Sequence, residues 1–467
     1  MSPGGSSEKS AERSSLAAGS YGFEHGLVAV IGQGHIGLTL ALRAAEVGFG
    51  VVGYDIDERL VKELGSFVKP AGGKAFEVGA DASGAPRFRV AAALDGVDPA
   101  RLAAVLSSGA YSATADPGDL EGFDIGVLAV PTPLDDSGVP DLDPMRAGAR
   151  LLGTHLHPGA AVSVESTLYP GATASVVIPA LESASGLVAG RDFHVGYSPE
   201  RIDTAGGEFG FENTPKLVSG MDAASLAALS GFYRRLVETV VEVPGMAEAE
   251  MAKVVENTFR HVNVALVNEL NLVARSLGVD LGVALEAAAT KPFGFMPFRP
   301  GPGAGGRCLA GAAGYLSWAA REAGAGALTL VDAATALNES MPARVAARVE
   351  TGLAERSMTM AGASVLLVGL AYKPGVSETR GSAAVAVANL LAVAGARVAA
   401  ADPLVGDCPG LHDSVERVEL SPDEVAKADA VVLLVDHPGL DLDTLVASAR
   451  WLLDTRARLR GPRVEYL

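Results

Sequence analysis

Several residues in this chain could do chemistry on a polar ligand. The run from Lys291 to Leu309 gathers five glycines, four prolines and three phenylalanines around Cys308. Glycine lets a backbone adopt positive φ and approach a ligand closely, and proline limits the freedom of such a segment. Phe298, Gly301, Gly303 and Gly305 therefore read as a cradle presenting a thiol, although for a lone cysteine the ordinary role is inert and structural. Lys253 and Asn257 stand four residues apart in a proline-free helical pattern, with His261 one turn further. On one helix face they could reach a single oxygen together, or form a solvated polar face. Glu200, in Tyr197-Ser198-Pro199-Glu200-Arg201-Ile202, is either a catalytic carboxylate or the partner of Arg201.

The elements that must position these groups begin with Leu27–Ile31, an apolar run of strand length. Gly32-Gln33-Gly34-His35-Ile36-Gly37 follows, then a helical pattern, then a second apolar run ending at Asp55. Strand, glycine turn, helix, strand and acid in this order describe a dinucleotide-binding unit. Gly32 permits the tight turn, Gly34 lets a pyrophosphate approach, and Gly37 allows close packing of helix on strand. The helix start at His35 and Ile36 supplies amides and positive potential for phosphates. Asp55 suits the ribose hydroxyls and repels a 2′-phosphate, so NAD is favoured over NADP.

Further strand-like runs at 125–130 and 160–164 alternate with helical segments, which implies a doubly wound parallel sheet. Ligands bind beyond the carboxyl ends of such strands. Thr132, Ser166 and Thr167 fall there, where a nicotinamide and its substrate would meet; taken singly, a turn or cap hydroxyl is the commoner role for each. The helical pattern from Ala247 to Leu277 is long enough to cross between domains or to dimerise. After Cys308 a helical region is expected to about Glu339. The α/β pattern then restarts, with strands at 363–369, 397–401, 430–435 and 451–453 and a helix at 382–394. This second Rossmann-like unit lacks a glycine fingerprint and suits a nucleotide portion of a substrate. The expected organisation is a disordered tail at 1–25, an NAD-binding Rossmann domain at 26–230, a central helical domain at 231–340, and a C-terminal Rossmann-like domain at 341–467.

Composition limits the function classes. Hydrophobic residues make up 49% of the 467 and charged residues 20%, as in globular proteins. A net charge of −18 and a pI near 4.9 argue against nucleic-acid or anionic-membrane partners. Two cysteines, Cys308 and Cys408, fit a reducing cytoplasm rather than a disulfide framework. The uncharged run from Gly381 to Ala396 is shorter than the ~20 residues of a membrane span, and residues 1–25 lack the apolar core of a signal peptide. No metal-ligating pattern is apparent.

Together the motifs VIGQGHIG, VPTPL, VESTLYPGAT, SPERI, AKVVENTFRHVNVALVNEL, FMPFRPGPGAGGRC, GLAYKPGVSETRGS and LLDTR resemble the UDP-glucose/GDP-mannose 6-dehydrogenase family, over the whole chain after residue 25. The segment ATKPFGFMPF looks most like the branch acting on UDP-N-acetylhexosamines, with UDP- or dTDP-glucose enzymes of antibiotic pathways as the alternative. The resemblance implies a four-electron oxidation of a nucleoside-diphosphate sugar at C6 by two NAD. It implies Cys308 as the nucleophile forming a thiohemiacetal and then a thioester, Glu200 as base for hydrolysis, and Thr167 as a positioner of water. Lys253 and Asn257 become oxyanion donors, and Lys373 and Arg380 contacts of the C-terminal domain with substrate and cofactor. The length of the central helix makes a homodimer through it the default expectation.

One departure stands out. The family's cysteine loop continues to an aspartate four residues after the cysteine, and here that position is Ala312; Arg307 also replaces a common histidine. Loss of a general acid or base can cost about 10²–10⁴-fold in rate. A catalytically silent sugar-nucleotide-binding protein is therefore the rival reading. A two-electron hydroxyacid dehydrogenase would need neither the cysteine loop nor the second α/β unit.

Overall fold

The computed structural model describes residues 26–66, 97–135, 137–203 and 208–467. The expected tail at 1–25 lies outside them. Two sheets form. The first contains β1 (Leu27–Ile31), β2 (Gly50–Tyr54), β3 (Tyr111–Thr114), β4 (Ile125–Leu128), β5 (Ala161–Val164), β6 (His194–Tyr197), β7 (Lys216–Gly220) and β8 (Val240–Glu242), in the order 3-2-1-4-5-6-7-8. All pairings are parallel except β6 with β7. Near-continuous burial of β1, β4, β5 and β6 explains why these strands read as unbroken apolar runs.

Register levels the carboxyl ends of these strands. Ile31 pairs with both Tyr54 and Leu128, Leu128 with Val164, and Val164 with Tyr197. The glycine turn, Asp55, the 129–132 loop, Ser166–Thr167 and Ser198–Glu200 therefore leave one edge together. The order reverses between β1 and β4, which opens a crevice at that edge.

The second sheet holds β9 (Ser364–Val368), β10 (Arg397–Ala401), β11 (Glu416–Arg417), β12 (Ala430–Leu433), β13 (Leu452–Asp454) and β14 (Val464–Tyr466), ordered 11-10-9-12-13-14 and parallel throughout. It repeats the switch of the first sheet, between β9 and β12. The uncharged run 381–396 becomes the helix Ala383–Val393 leading into β10. Among the described residues no helix is long and apolar enough to cross a membrane.

Between the sheets runs the helix Met246–Ser276, 31 residues long and hence roughly 46 Å. Its polar side is the buried one. Lys253, Asn257, His261, Asn268 and Asn271 are buried, whereas Met251, Val255, Phe259, Leu266, Leu270 and Val273 are exposed. The buried face is tied by polar contacts to its neighbours. His261 Nε2 lies 3.0 Å from Thr335 Oγ1, Asn338 Nδ2 donates to the His261 carbonyl at 3.1 Å, and Asn268 Oδ1 accepts from the Gly301 amide at 2.9 Å. This excludes the solvated-face reading of Lys253 and Asn257.

The helical region expected from Cys308 to Glu339 is instead two helices, Arg307–Glu322 and Thr329–Glu355, separated at Gly324 and Gly326, both with positive φ. The second continues past residue 340, where the sequence suggested a domain boundary. A helix-period pattern does not reveal an interruption when the glycines alternate with good helix formers, as in Ala323-Gly324-Ala325-Gly326-Ala327.

Candidate active site

The glycine turn is built as its spacing requires. Gly32 has φ +93°, and a Cβ there would lie 2.5 Å from the Ala129 carbonyl oxygen. At Gly37 a Cβ would fall 1.9 Å from the Gly32 carbonyl oxygen, so the helix His35–Glu46 packs on its own turn. At Gly34 a Cβ would meet nothing within 4 Å. That is the open side, where backbone faces room for a pyrophosphate, with His35 and Ile36 opening the helix beside it. Asp55 accepts from the Gln33 amide at 2.7 Å and the Asp57 amide at 2.9 Å, which orients its carboxylate at the end of β2. These residues fit the adenosine and pyrophosphate portions of NAD.

At the same edge the Thr132 hydroxyl donates to the Thr167 carbonyl at 2.8 Å, and the Ser166 hydroxyl to the Val130 carbonyl at 2.7 Å. These bonds clamp the loop after β4 to the loop after β5. Lys253 reaches this edge from the long helix. Its ammonium donates to the Glu200 carbonyl at 2.5 Å and lies 3.2 Å from Glu200 Oε2. The other carboxylate oxygen of Glu200 accepts from the Ile202 amide. Burial works to raise the Glu200 carboxyl, but the charges of Lys253, His35 and Lys216 outweigh it and hold the group below the usual carboxylate range. Asn257 is buried one turn along the same helix face.

Arg201 pairs with Glu256 at 2.7 Å. Glu200 is therefore not merely the partner of Arg201.

The cradle closes the site from the other side. Cys308 is the second residue of the helix Arg307–Glu322, which follows Gly306 at φ +88°. The first turn of a helix favours an anion; the side chain of Cys308 lies outside the described atoms. A Cβ at Gly305 would strike the Tyr372 carbonyl oxygen at 2.4 Å, and one at Gly301 would strike Arg456 Nη1 at 2.7 Å. At Gly303, φ +136°, it would reach the Asn338 carbonyl oxygen at 2.9 Å. Gly301 and Gly305 thus permit close contact with the C-terminal unit, and Gly303 with the helix Thr329–Glu355. Phe298 packs edge-on against Phe259 with ring centres 5.9 Å apart. A cavity between cradle and C-terminal sheet is lined by Gly303, Tyr372, Lys373, Ser382 and Arg456.

Lys373 forms an ion pair of 2.9 Å with Asp203, across from the second sheet to the first. Arg380 is engaged with Glu378 through its side chain and amide. Ala312, one turn after Cys308, is 1% exposed.

Sequence reasoning missed several residues. The Tyr315 hydroxyl donates to the Thr132 carbonyl at 2.7 Å, so the cysteine helix holds the loop after β4. Arg456 donates to the Pro300 carbonyl at 2.7 Å and pairs with Asp436 at 2.8 Å. Its position in LLDTR was a usable signal. Lys216 and Tyr233, buried with Glu165, gave none, because their partners are distant in sequence; Glu165 stands in the motif VESTLYPGAT, which does not reveal its partners.

Comparison with known proteins accounts for all three parts of this arrangement. Models of the UDP-glucose/GDP-mannose dehydrogenase family match residues 98–237 (NAD binding domain), 247–340 (central domain) and 366–460 (UDP binding domain). The chain belongs to this family. Its members are NAD-dependent nucleotide-sugar dehydrogenases, and NAD is the cofactor. The glycine turn precedes the matched stretch and stands on its own geometry. The chain is 33% identical over 415 residues to the UDP-N-acetyl-D-glucosamine 6-dehydrogenase of Pseudomonas aeruginosa, covering 88% of this chain and 90% of that one. It is 32% identical to the UDP-N-acetyl-D-mannosamine dehydrogenase of Pyrococcus horikoshii, over 94% and 97%. The solved UDP-D-ManNAc dehydrogenase structure from Pyrococcus horikoshii superposes with a TM-score of 0.78 at 30% identity, covering 94% of this chain and 98% of that one. The family bears out the expected fold of two Rossmann-like sheets joined by a long helix.

Proposed function

We propose that this protein oxidises the C6 hydroxymethyl group of a UDP-N-acetylhexosamine to the carboxylate. The observation that carries the proposal is the buried contact of Lys253 with Glu200 at the strand edge that also bears the cofactor turn. The named relatives favour an N-acetylated sugar over glucose. NAD supplies the hydride acceptor, and two are consumed per sugar. The balanced change is R–CH2OH plus two NAD⁺ and water to R–COO⁻, two NADH and three protons.

Within that scheme the chain's own residues have distinct tasks. The Cys308 thiolate adds to the C6 aldehyde carbon, giving a thiohemiacetal whose oxyanion takes hydrogen bonds from Lys253 and Asn257. After the second oxidation the same donors polarise the thioester carbonyl. Glu200 takes a proton from the attacking water, which Thr167 helps orient, and the thiolate leaves. Gly32, Gly34, His35, Ile36, Gly37 and Asp55 hold the adenosine diphosphate of NAD. Thr132, Ser166 and Thr167 line the nicotinamide end, and Arg380 the cofactor side of the cleft. Phe298, Gly301, Gly303, Gly305 and Lys373 receive the nucleotide sugar.

The exposed apolar stripe Met251, Val255, Phe259, Leu266, Leu270 and Val273 supports a homodimer through the long helix. Light scattering on a size-exclusion column should give twice the chain mass, and Leu266→Glu/Leu270→Glu should return it to one.

A panel of UDP-N-acetylglucosamine, UDP-N-acetylmannosamine, UDP-glucose and dTDP-glucose, scored for NADH per sugar, tests the proposal. Two NADH with an N-acetylated sugar is the expected result. One NADH with a trappable aldehyde would instead mean that the thioester step is lost. Buried Ala312 favours a second reading, a protein that binds sugar nucleotide without turnover. Calorimetric binding with no NADH from any sugar would establish that, and Ala312→Asp would then be the variant expected to gain activity.

A further inference from the structure

Beneath the loops that carry Thr167 and Glu200, a buried ion pair joins two strand ends. Lys216 opens β7. Its ammonium donates to Glu165 Oε2 at 2.5 Å, to the Pro199 carbonyl at 2.9 Å and to the Ser198 carbonyl at 3.2 Å. Both side chains are almost wholly out of solvent, at 5% and 0% exposure. Glu165, directly after β5, also accepts from the Tyr233 hydroxyl at 2.7 Å. Because that spends the tyrosine's one proton, Ser163 Oγ is the donor in its 2.8 Å contact with Tyr233. The Tyr233 and Phe211 rings face the ammonium at 5.2 and 5.7 Å.

Burial pushes the Lys216 ammonium down and the Glu165 carboxyl up, each opposed by the partner's charge. The hydrogen-bond count decides their state. Three acceptors surround Nζ, and only the protonated amine has three N–H donors. A buried ion pair is weak support for stability, because desolvation offsets most of the attraction. Two carbonyls immediately before Glu200 give this one a different use.

We propose that Lys216 is a positioning residue for the dehydrogenase reaction. Gripping the Ser198 and Pro199 carbonyls while pinned to Glu165, it fixes the loop of Glu200 against the loop of Ser166 and Thr167. Its charge also completes an alternating series, Glu165, Lys216, Glu200, Lys253, that ends at the reacting edge. The inference rests on the proposed role of Glu200, and its test separates the two.

Lys216→Met alone strands the Glu165 carboxylate without its cation, so the charge-balanced pair Glu165→Gln/Lys216→Met is compared with it. The expected result for the double variant in the full-length protein is cooperative unfolding and unchanged NAD affinity. With UDP-N-acetylglucosamine, kcat falls about 100-fold, the scale of an ångström-level displacement of a reacting group. Amide exchange across 200–203 accelerates. In folded Lys216→Met the acid limb of kcat/KM moves to higher pH, and in the double variant less so, because Glu165 opposes Lys216 at Glu200. Unchanged kcat and unchanged exchange in the folded double variant would overturn the inference, as would a loss of kcat that merely follows the folded fraction. Should the wild type form no NADH, the functional reading fails, and exchange decides the positioning by itself: retained protection at 200–203 refutes it, lost protection supports it.

Discussion

The ammonium of Lys253 donates to the main-chain carbonyl of Glu200 at 2.5 Å and stands 3.2 Å from that residue's carboxylate. One cation thus fixes both the backbone and the charge of a candidate base. Among the described residues these contacts engage two of its three donors, which leaves one for a substrate oxyanion. Lys253→Met should lower kcat by about 10²–10³-fold through the lost donor. It also removes the largest influence holding the Glu200 carboxyl down. The acid limb of kcat/KM should therefore move to higher pH, as a pH–rate profile of wild type and variant would show. A limb that stays in place would mean Glu200 is not the group it reports.

Two glycines three residues apart should fail in opposite ways. Gly37→Ala drives a Cβ into the Gly32 carbonyl oxygen, a backbone atom 1.9 Å away. It is expected to cost about 2–3 kcal/mol of stability, or more, as overpacking does. Gly34→Ala enters open space at φ −68°. Stability should stay within about 0.5 kcal/mol, while NAD affinity falls because the methyl occupies the pyrophosphate's approach. Denaturant unfolding and calorimetric NAD titration of the two variants give the comparison; equal destabilisation would remove the assigned division of labour.

The same contrast shows what the sequence could reveal. Gly32, Gly34, Gly37 and Asp55 lie within one strand-helix-strand unit, so local spacing specified their geometry. Lys253 and Asn257 were legible as one helix face, but which face is buried depends on two helices that arrive only after residue 307. The Lys216 network was not legible at all. Lys216 meets Glu165 across 51 residues, through an antiparallel strand added to a parallel sheet; Lys216 carries no local pattern, and the motif VESTLYPGAT around Glu165 does not name its partner. The break at Gly324 and Gly326 escaped because periodicity resumes on the far side.

The second sheet places an acid where a dinucleotide fold would use one, yet Asp402 is occupied by its own protein. It accepts from the amides of Leu370 at 2.7 Å and Ala371 at 3.1 Å and from His437 Nε2 at 3.0 Å, while His437 Nδ1 accepts from the Gly375 amide. Burial works to raise this carboxyl, but the His437 hydrogen bond and the amides prevail and bring it to about 2. A folded value below the unfolded one means stability that is present above pH ~4 and lost as pH falls towards 2, worth about 2 kcal/mol. Urea unfolding at pH 5 and pH 3 should show about half of that loss, on the order of 1 kcal/mol, in the wild type and a smaller one in Asp402→Asn. An equal loss in both would place the acid sensitivity elsewhere.

Lys373 joins the two sheets through Asp203, yet the pair should contribute little to folding. Its side chains are 27% and 53% exposed, and such pairs are typically worth about 0–1 kcal/mol. Lys373 also lines the cavity beside Gly303, Ser382 and Arg456, where the nucleotide sugar is proposed to sit. Functional and structural costs should therefore separate. Asp203→Asn should leave unfolding nearly unchanged and add no more than a small change in KM. Lys373→Ala should also unfold normally but raise KM for the nucleotide sugar by about 10–100-fold, the loss of one charge-assisted contact, with NAD affinity unaltered. Steady-state kinetics at low and moderate salt would read this directly. A KM unmoved in Lys373→Ala would show that the lysine serves the inter-sheet pair and not the substrate.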